Sequence, residues 1–133
     1  MLPEWMEELH KIEATKDNLN GMDLSNRKLM QAKLDGANLR EADLTYAYLI
    51  RADLRNADLS GTDLSNAVLS EANLNGANLE GVEFTETYLH GADLRNTRNL
   101  DCEQLELAFL DKETRLPDNI KIRWISDQVF ECC

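Results

Sequence analysis

Apolar residues return along this chain at every fifth position. From Leu19 to Leu94, positions 19, 24, 29 and onward hold fifteen Leu and one Phe, Phe84, without a gap. Two residues before each of these sixteen positions, Ala occurs ten times, at 32, 37, 42, 47, 52, 57, 67, 72, 77 and 92. Most of the residues between them are polar. A strict period of five suits neither a helix of 3.6 residues per turn nor a strand pleat of two. Each unit must therefore form one side of something that turns and stacks, and self-similarity at a fixed period is the mark of a solenoid. No single turn of such a stack buries its Leu face alone, whereas stacked turns share one continuous apolar column.

The units read Ala, then Asp or Asn, then Leu, as in Ala42-Asp43-Leu44-Thr45-Tyr46, Ala52-Asp53-Leu54-Arg55-Asn56 and Ala77-Asn78-Leu79-Glu80-Gly81. Over roughly residues 17–98 this resembles the pentapeptide-repeat family, in the manner of its short cyanobacterial members. The resemblance implies an all-β solenoid: a right-handed quadrilateral β-helix of about four coils, each of four pentapeptides, with Leu and Ala inward. Residues twenty apart would then stack directly, ~4.8 Å apart. The six glycines, at 21, 36, 61, 76, 81 and 91, all fall at the last position of a repeat, where the coil turns its corner.

A stack of coils leaves two open ends with unpaired backbone, which repeat arrays close with atypical segments. Residues 1–16 read as an N-terminal capping helix, because Trp5, Leu9 and Ile12 fall on one helical stripe. Pro3 and the early Glu residues suit its start, and Lys11 and Lys16 its end. After the repeats at 17–98, the register slips: Leu94 is followed by Leu100, six positions on. Residues 99–133 read as a C-terminal capping segment with one or two short helices. Asp101 would cap the first, over Cys102 to Phe109. Around Ile120, Ile122 and Trp124 the pattern suits a helix or a strand equally. Helices covering both ends favour a monomer over a dimer.

The net charge of −11 is spread along the chain, with −2 in residues 1–16, −5 in 17–98 and −4 in 99–133. That balance argues against direct contact with nucleic acid or an anionic membrane. The opening residues have no basic start and apolar stretch of the kind a leader carries, and no run is long enough to span a bilayer. The expected setting is the cytoplasm of a bacterium. Three cysteines, Cys102, Cys132 and Cys133, are an odd count with no zinc-finger spacing, which suggests free thiols. The alternative is that Cys102 pairs with Cys132 or Cys133 and pins the tail to the solenoid's end.

The twenty-residue register also predicts the outward faces. One stacks Asp23, Asp43, Asp63 and Glu83, an acidic ladder, beside a hydroxyl ladder of Ser25, Thr45, Ser65 and Thr85. Like charges at that spacing repel by about 1 kcal/mol in water, so the ladder is either functional or held by turn hydrogen bonds to nearby backbone. The next face stacks Lys28, Tyr48, Val68 and Tyr88, flanked by Met30, Ile50, Ser70 and His90. Tyr48, Val68 and Tyr88, with Met30, Ile50 and His90, make a candidate interaction face, since contiguous exposed apolar surface marks contact sites.

Catalysis is not expected. The only histidines, His10 and His90, belong to different elements, and no nucleophile–base pair, phosphate loop or metal-ligand spacing is present. A flat column of Asp23, Asp43 and Asp63 lacks the six to eight convergent oxygens that calcium prefers. No cofactor and no metal are expected. The reading is a non-enzymatic module that binds a protein partner through the Tyr48–Tyr88 face. The alternative, which the resemblance suggests, is a DNA-mimic binder or inhibitor of DNA gyrase using the acidic ladder.

Overall fold

The computed structural model describes all 133 residues. Between residues 23 and 98 twelve parallel β-bridges each join a residue to the one twenty positions on. They run in four columns, through Asp23, Lys28, Lys33 and Asn38 and their successors. Each bridge is a single residue, so the repeats hold no extended strand. The reason is local: every repeat closes a β-turn, as where the Ala32 N–H donates to the Leu29 carbonyl at 3.1 Å. The third residue of these turns has positive φ, as a type II turn requires. Glycine fills it at six corners, but Gln31, Glu41, Tyr46, Arg51, Asn56 and Glu71 occupy it too, with φ of 57–61° in every one of them. The left-handed corner is thus a property of the coil and does not depend on glycine.

All sixteen Leu and Phe positions are at most 2% exposed, and every Ala two residues earlier is at most 1% exposed. Thr62 and Thr87 take the Ala position with buried hydroxyls. Both are satisfied, donating to the Leu39 and Leu64 carbonyls at 2.6 and 2.7 Å. No buried side-chain nitrogen or oxygen lacks a partner. Full satisfaction matters because an unpaired polar atom in a close-packed column costs ~1–3 kcal/mol.

At the N-terminus, α1 (Glu4–Ala14) buries Leu9 and Ile12 against the first coil, and a single 3-10 turn, Lys16–Asn18, leads into it. Glu13 accepts from the backbone N–H of Lys33 at 2.7 Å, closing one of that coil's open donors. Arg27 pairs with Glu8 across the same junction at 3.0 Å.

The C-terminal segment differs from the expected helix over Cys102 to Phe109. Helix α2 spans only Cys102–Glu106, with Asp101 and Gln104 forming a reciprocal capping box. The Gln104 amide also donates to the Leu79 and Val82 carbonyls, sealing the last coil. The chain then leaves the helix because Phe109 takes up a ladder position. Its N–H donates to the Thr87 carbonyl at 2.9 Å, and its own carbonyl accepts from Leu89 at 2.8 Å. Arg115 continues this by pairing with Asp93, so part of a further coil forms after the slip at Asn99.

Beyond Pro117 the strand alternative holds and the second helix does not form. Strands β1 (Ile122–Trp124) and β2 (Phe130–Cys132) make an antiparallel hairpin with Ile122 opposite Cys132 and Trp124 opposite Phe130. Alternation decides it: Ile122, Trp124, Phe130 and Cys132 are half-buried on one face, while Arg123 and Glu131 are exposed on the other.

Candidate protein-interaction face

The second bridge column carries Lys28, Tyr48, Val68, Tyr88 and then Phe109. Every fifth residue is pulled inward, so the residue before it must face out, which is why this column is exposed. Tyr48, Tyr88 and Phe109 are 45%, 42% and 44% exposed, and Val68 is half-buried. Tyr88 lies over Phe109 with ring centroids 5.1 Å apart and over His90 at 6.1 Å. Together with Leu110 and Gln128 they line a shallow groove at the C-terminal end of the rod. Ile50 lies half-buried beside Tyr48 in the neighbouring column. Met30 sits apart from the groove, lining a second depression with Trp5, Leu9 and His10 of α1.

Two residues of this face were not singled out in the sequence. Phe109 was assigned to a helix, and only the one-residue slip after Leu94 signals that it falls 21 positions after Tyr88. Tyr46 is 57% exposed at the corner between the acidic and aromatic columns, with φ 61°. A bulky aromatic side chain is an unusual occupant of the left-handed region.

The acidic column is tied to its own turns. Asp23 accepts from the Ser25 hydroxyl at 2.6 Å and N–H at 3.0 Å, and Asp43 from Thr45 at 2.7 and 2.9 Å. Asp63 accepts from the Ser65 N–H and Glu83 from the Thr85 hydroxyl. The Ser25 hydroxyl and then its N–H hold the Asp23 carboxyl below the usual carboxylate value. The same turn recurs where the partner is Arg: Arg55 and Arg95 hold Asp53 and Asp93 down through paired guanidinium bonds of 2.7–3.0 Å. For Asp58, partial burial pushes upward, but the Ser60 hydroxyl and N–H, together with the charges of Arg40 and Arg98, more than offset it. The residues of the hydroxyl ladder, through hydroxyl, N–H or both, are therefore the donors to the acidic one.

Cys102 and Cys132 are joined by a disulfide that ties β2 to α2, and Cys133 is an exposed free thiol. The Glu106 carboxylate lies near the pair: one donor atom from each of Cys102, Glu106 and Cys132 falls within 4.8 Å of the others. His10 and His90 remain on separate elements and converge on no common site.

The family model described as pentapeptide repeats matches residues 23–61 and 62–98, in eight copies. This chain belongs to the pentapeptide-repeat family. Among solved structures, the pentapeptide-repeat protein alr5209 from Nostoc Pcc 7120 is 32% identical, over 86% of this chain and 87% of that one, with a TM-score of 0.48. A pentapeptide-repeat protein of the Arabidopsis thaliana thylakoid lumen, AT2G44920, is 26% identical over 80% and 73%, also with a TM-score of 0.48. QnrB1, described as a plasmid-mediated fluoroquinolone resistance protein, is 18% identical over 76% and 58%, with a TM-score of 0.46. No curated protein matches the chain. No helix of this pentapeptide-repeat protein is long and apolar enough to cross a membrane.

Proposed function

We propose that the protein is a non-enzymatic, monomeric interaction module, a right-handed quadrilateral rod of about four coils that binds a protein partner through Tyr48, Val68, Tyr88 and Phe109. The observation that carries this reading is the pair Tyr88 and Phe109, in tilted ring contact yet each more than two-fifths exposed, in a groove with His90. Aromatic side chains that stay exposed on a rigid scaffold are the residues that anchor interfaces. The acidic column runs beside this strip, and the chain carries −11 overall. The fitting partner is therefore a protein surface with an apolar side chain for the groove and Lys or Arg flanking it. The Cys102–Cys132 bond is of a kind rare in reducing compartments, which favours an oxidising setting over the cytoplasm that the sequence led us to expect.

The test is affinity capture from native lysate with wild type beside the Tyr48→Glu/Tyr88→Glu double mutant, both checked by circular dichroism. A partner held by wild type, released by salt and lost by the folded mutant supports the face. Identical captures refute it. Gyrase inhibition is the reading that the acidic column favours. The turn bonds to Asp23, Asp43, Asp63 and Glu83 already account for that column. A supercoiling assay with no effect at large molar excess dismisses gyrase inhibition.

A further inference from the structure

We propose that Cys102, Glu106 and Cys132 form a zinc-class metal site when the disulfide is reduced, so that the C-terminal cap is clipped in either redox state. Three features of the cap lead there. Cys102 and Glu106 begin and end α2, four residues apart, which places them on one helix face. Cys132 arrives from the inward face of the hairpin, and its Cα lies 6.0 Å from that of Cys102. The Cys102 and Cys132 sulfurs are bonded to each other, a carboxylate oxygen of exposed Glu106 lies within 4.8 Å of both, and Glu106 takes part in no ion pair that would occupy it.

The chemistry of the donor set selects the ion. Two thiolates and one carboxylate suit a borderline-soft dication, whereas calcium and magnesium prefer oxygen alone. Thiolates on a tetrahedral zinc stand roughly 3.8 Å apart, given metal–sulfur bonds of about 2.3 Å. Two cysteines placed to bond each other need only a side-chain rotation to reach that separation. Cys133 is exposed and lies just past the end of β2, and the proposed site takes water in its fourth position.

The steps balance. A dithiol reductant supplies two electrons and two protons, cleaving the sulfur–sulfur bond to two thiols and becoming a cyclic disulfide itself. The dication then displaces both thiol protons to solvent and forms two metal–thiolate bonds. Metal binding leaves two thiolates beside the Glu106 carboxylate, and the dication offsets that concentration of negative charge. The hairpin needs such a tie, because a two-stranded hairpin of three-residue strands is marginal alone. This inference is independent of the interaction face.

The experiment is a Co²⁺ titration of the full-length Cys133→Ser protein, which removes the competing exposed thiol. The protein is first reduced anaerobically with a phosphine, itself oxidised to the phosphine oxide with water as oxygen source. The expected result is a thiolate-to-cobalt charge-transfer band that saturates at one ion per chain and is displaced by one Zn²⁺. The band should be absent in the oxidised protein and in Cys102→Ser, and Glu106→Gln should bind about ten-fold more weakly or worse. Circular dichroism of each variant confirms that the repeats are folded, and a titration in guanidinium shows whether the site needs the fold. No band in the reduced protein, a band surviving Cys102→Ser, unchanged affinity in Glu106→Gln, or equal binding in guanidinium would each overturn the proposal.

Discussion

Leu64→Ala is the perturbation that probes the column most sharply. Leu64 is 0% exposed in the middle of the array. Removing three carbons forfeits ~2.4 kcal/mol of transfer free energy at ~0.8 per methylene. The cavity term then depends on whether the walls can close. Here they are held: the Leu64 N–H donates to Glu83 at 3.0 Å, and its carbonyl accepts from the Ala67 N–H at 3.0 Å and the Thr87 hydroxyl at 2.7 Å. A site pinned on both sides collapses little, so the total loss should reach ~4–5 kcal/mol, the upper part of the range for buried Leu→Ala changes. Equilibrium urea unfolding of the oxidised protein reads it, with Leu107→Ala as control because Leu107 is 53% exposed. The control should stay within ~0.5 kcal/mol of wild type. A Leu64→Ala loss below ~1.5 kcal/mol would mean that the coils relax around the cavity, and the rigid-column reasoning would fail.

Acid should destabilise the protein through the turn carboxylates. Asp23, Asp53, Asp58, Asp93 and Asp111 all sit below the usual carboxylate value when folded. The unfolded chain therefore binds protons first as pH falls. The stabilisation is full above an unfolded pKa of ~4 and is lost as pH drops through the folded values. Tm should fall on acidification below about pH 4, less steeply in Asp53→Asn/Asp93→Asn, and a flat profile would contradict this. Removing the disulfide with Cys102→Ser/Cys132→Ser opens a crosslink of sequence separation 30, a loss of ~3–4 kcal/mol by chain entropy. Hydrogen exchange in metal-free buffer should show protection lost in residues 118–133 while the repeats keep theirs, and uniform loss would refute the separation. Gly76→Ala and Gly21→Ala should each cost ~1–2 kcal/mol in urea unfolding, because both have positive φ. The Asn56 oxygen that a Cβ at 76 meets ends an exposed side chain free to rotate away, and a Cβ at 21 meets nothing within 4 Å; a loss several-fold larger at 76 would contradict this.

The repeats were legible because one residue type at one spacing states the whole geometry. Leu at every fifth place fixes what points inward, and the Asp or Asn before it, with the Ser, Thr or Arg after it, fixes the turn bond. The aromatic strip followed from the same register, up to Tyr88. Phe109 was hidden because the slip after Leu94 breaks the period, and the local pattern Gln104-Leu105-Glu106-Leu107-Ala108 has helical character of its own. Backbone pairing with Thr87 and Leu89 overrides that propensity beyond Glu106. The hairpin was ambiguous because Ile120, Ile122 and Trp124 fit two periods over so short a span. Tyr46 carries no signal in the sequence because glycine at the other corners marks the turn, whereas the coil imposes positive φ on whatever residue stands there.

Site-directed photo-crosslinking measures the interaction face directly. A benzoylphenylalanine in place of Tyr88 reports on the aromatic column, and one in place of Asp53 reports on a different bridge column of the same rod. Irradiation in native lysate should give a discrete protein adduct from position 88 and none from position 53. Adducts of equal yield from both positions, or from position 53 alone, would contradict the aromatic strip as the binding face.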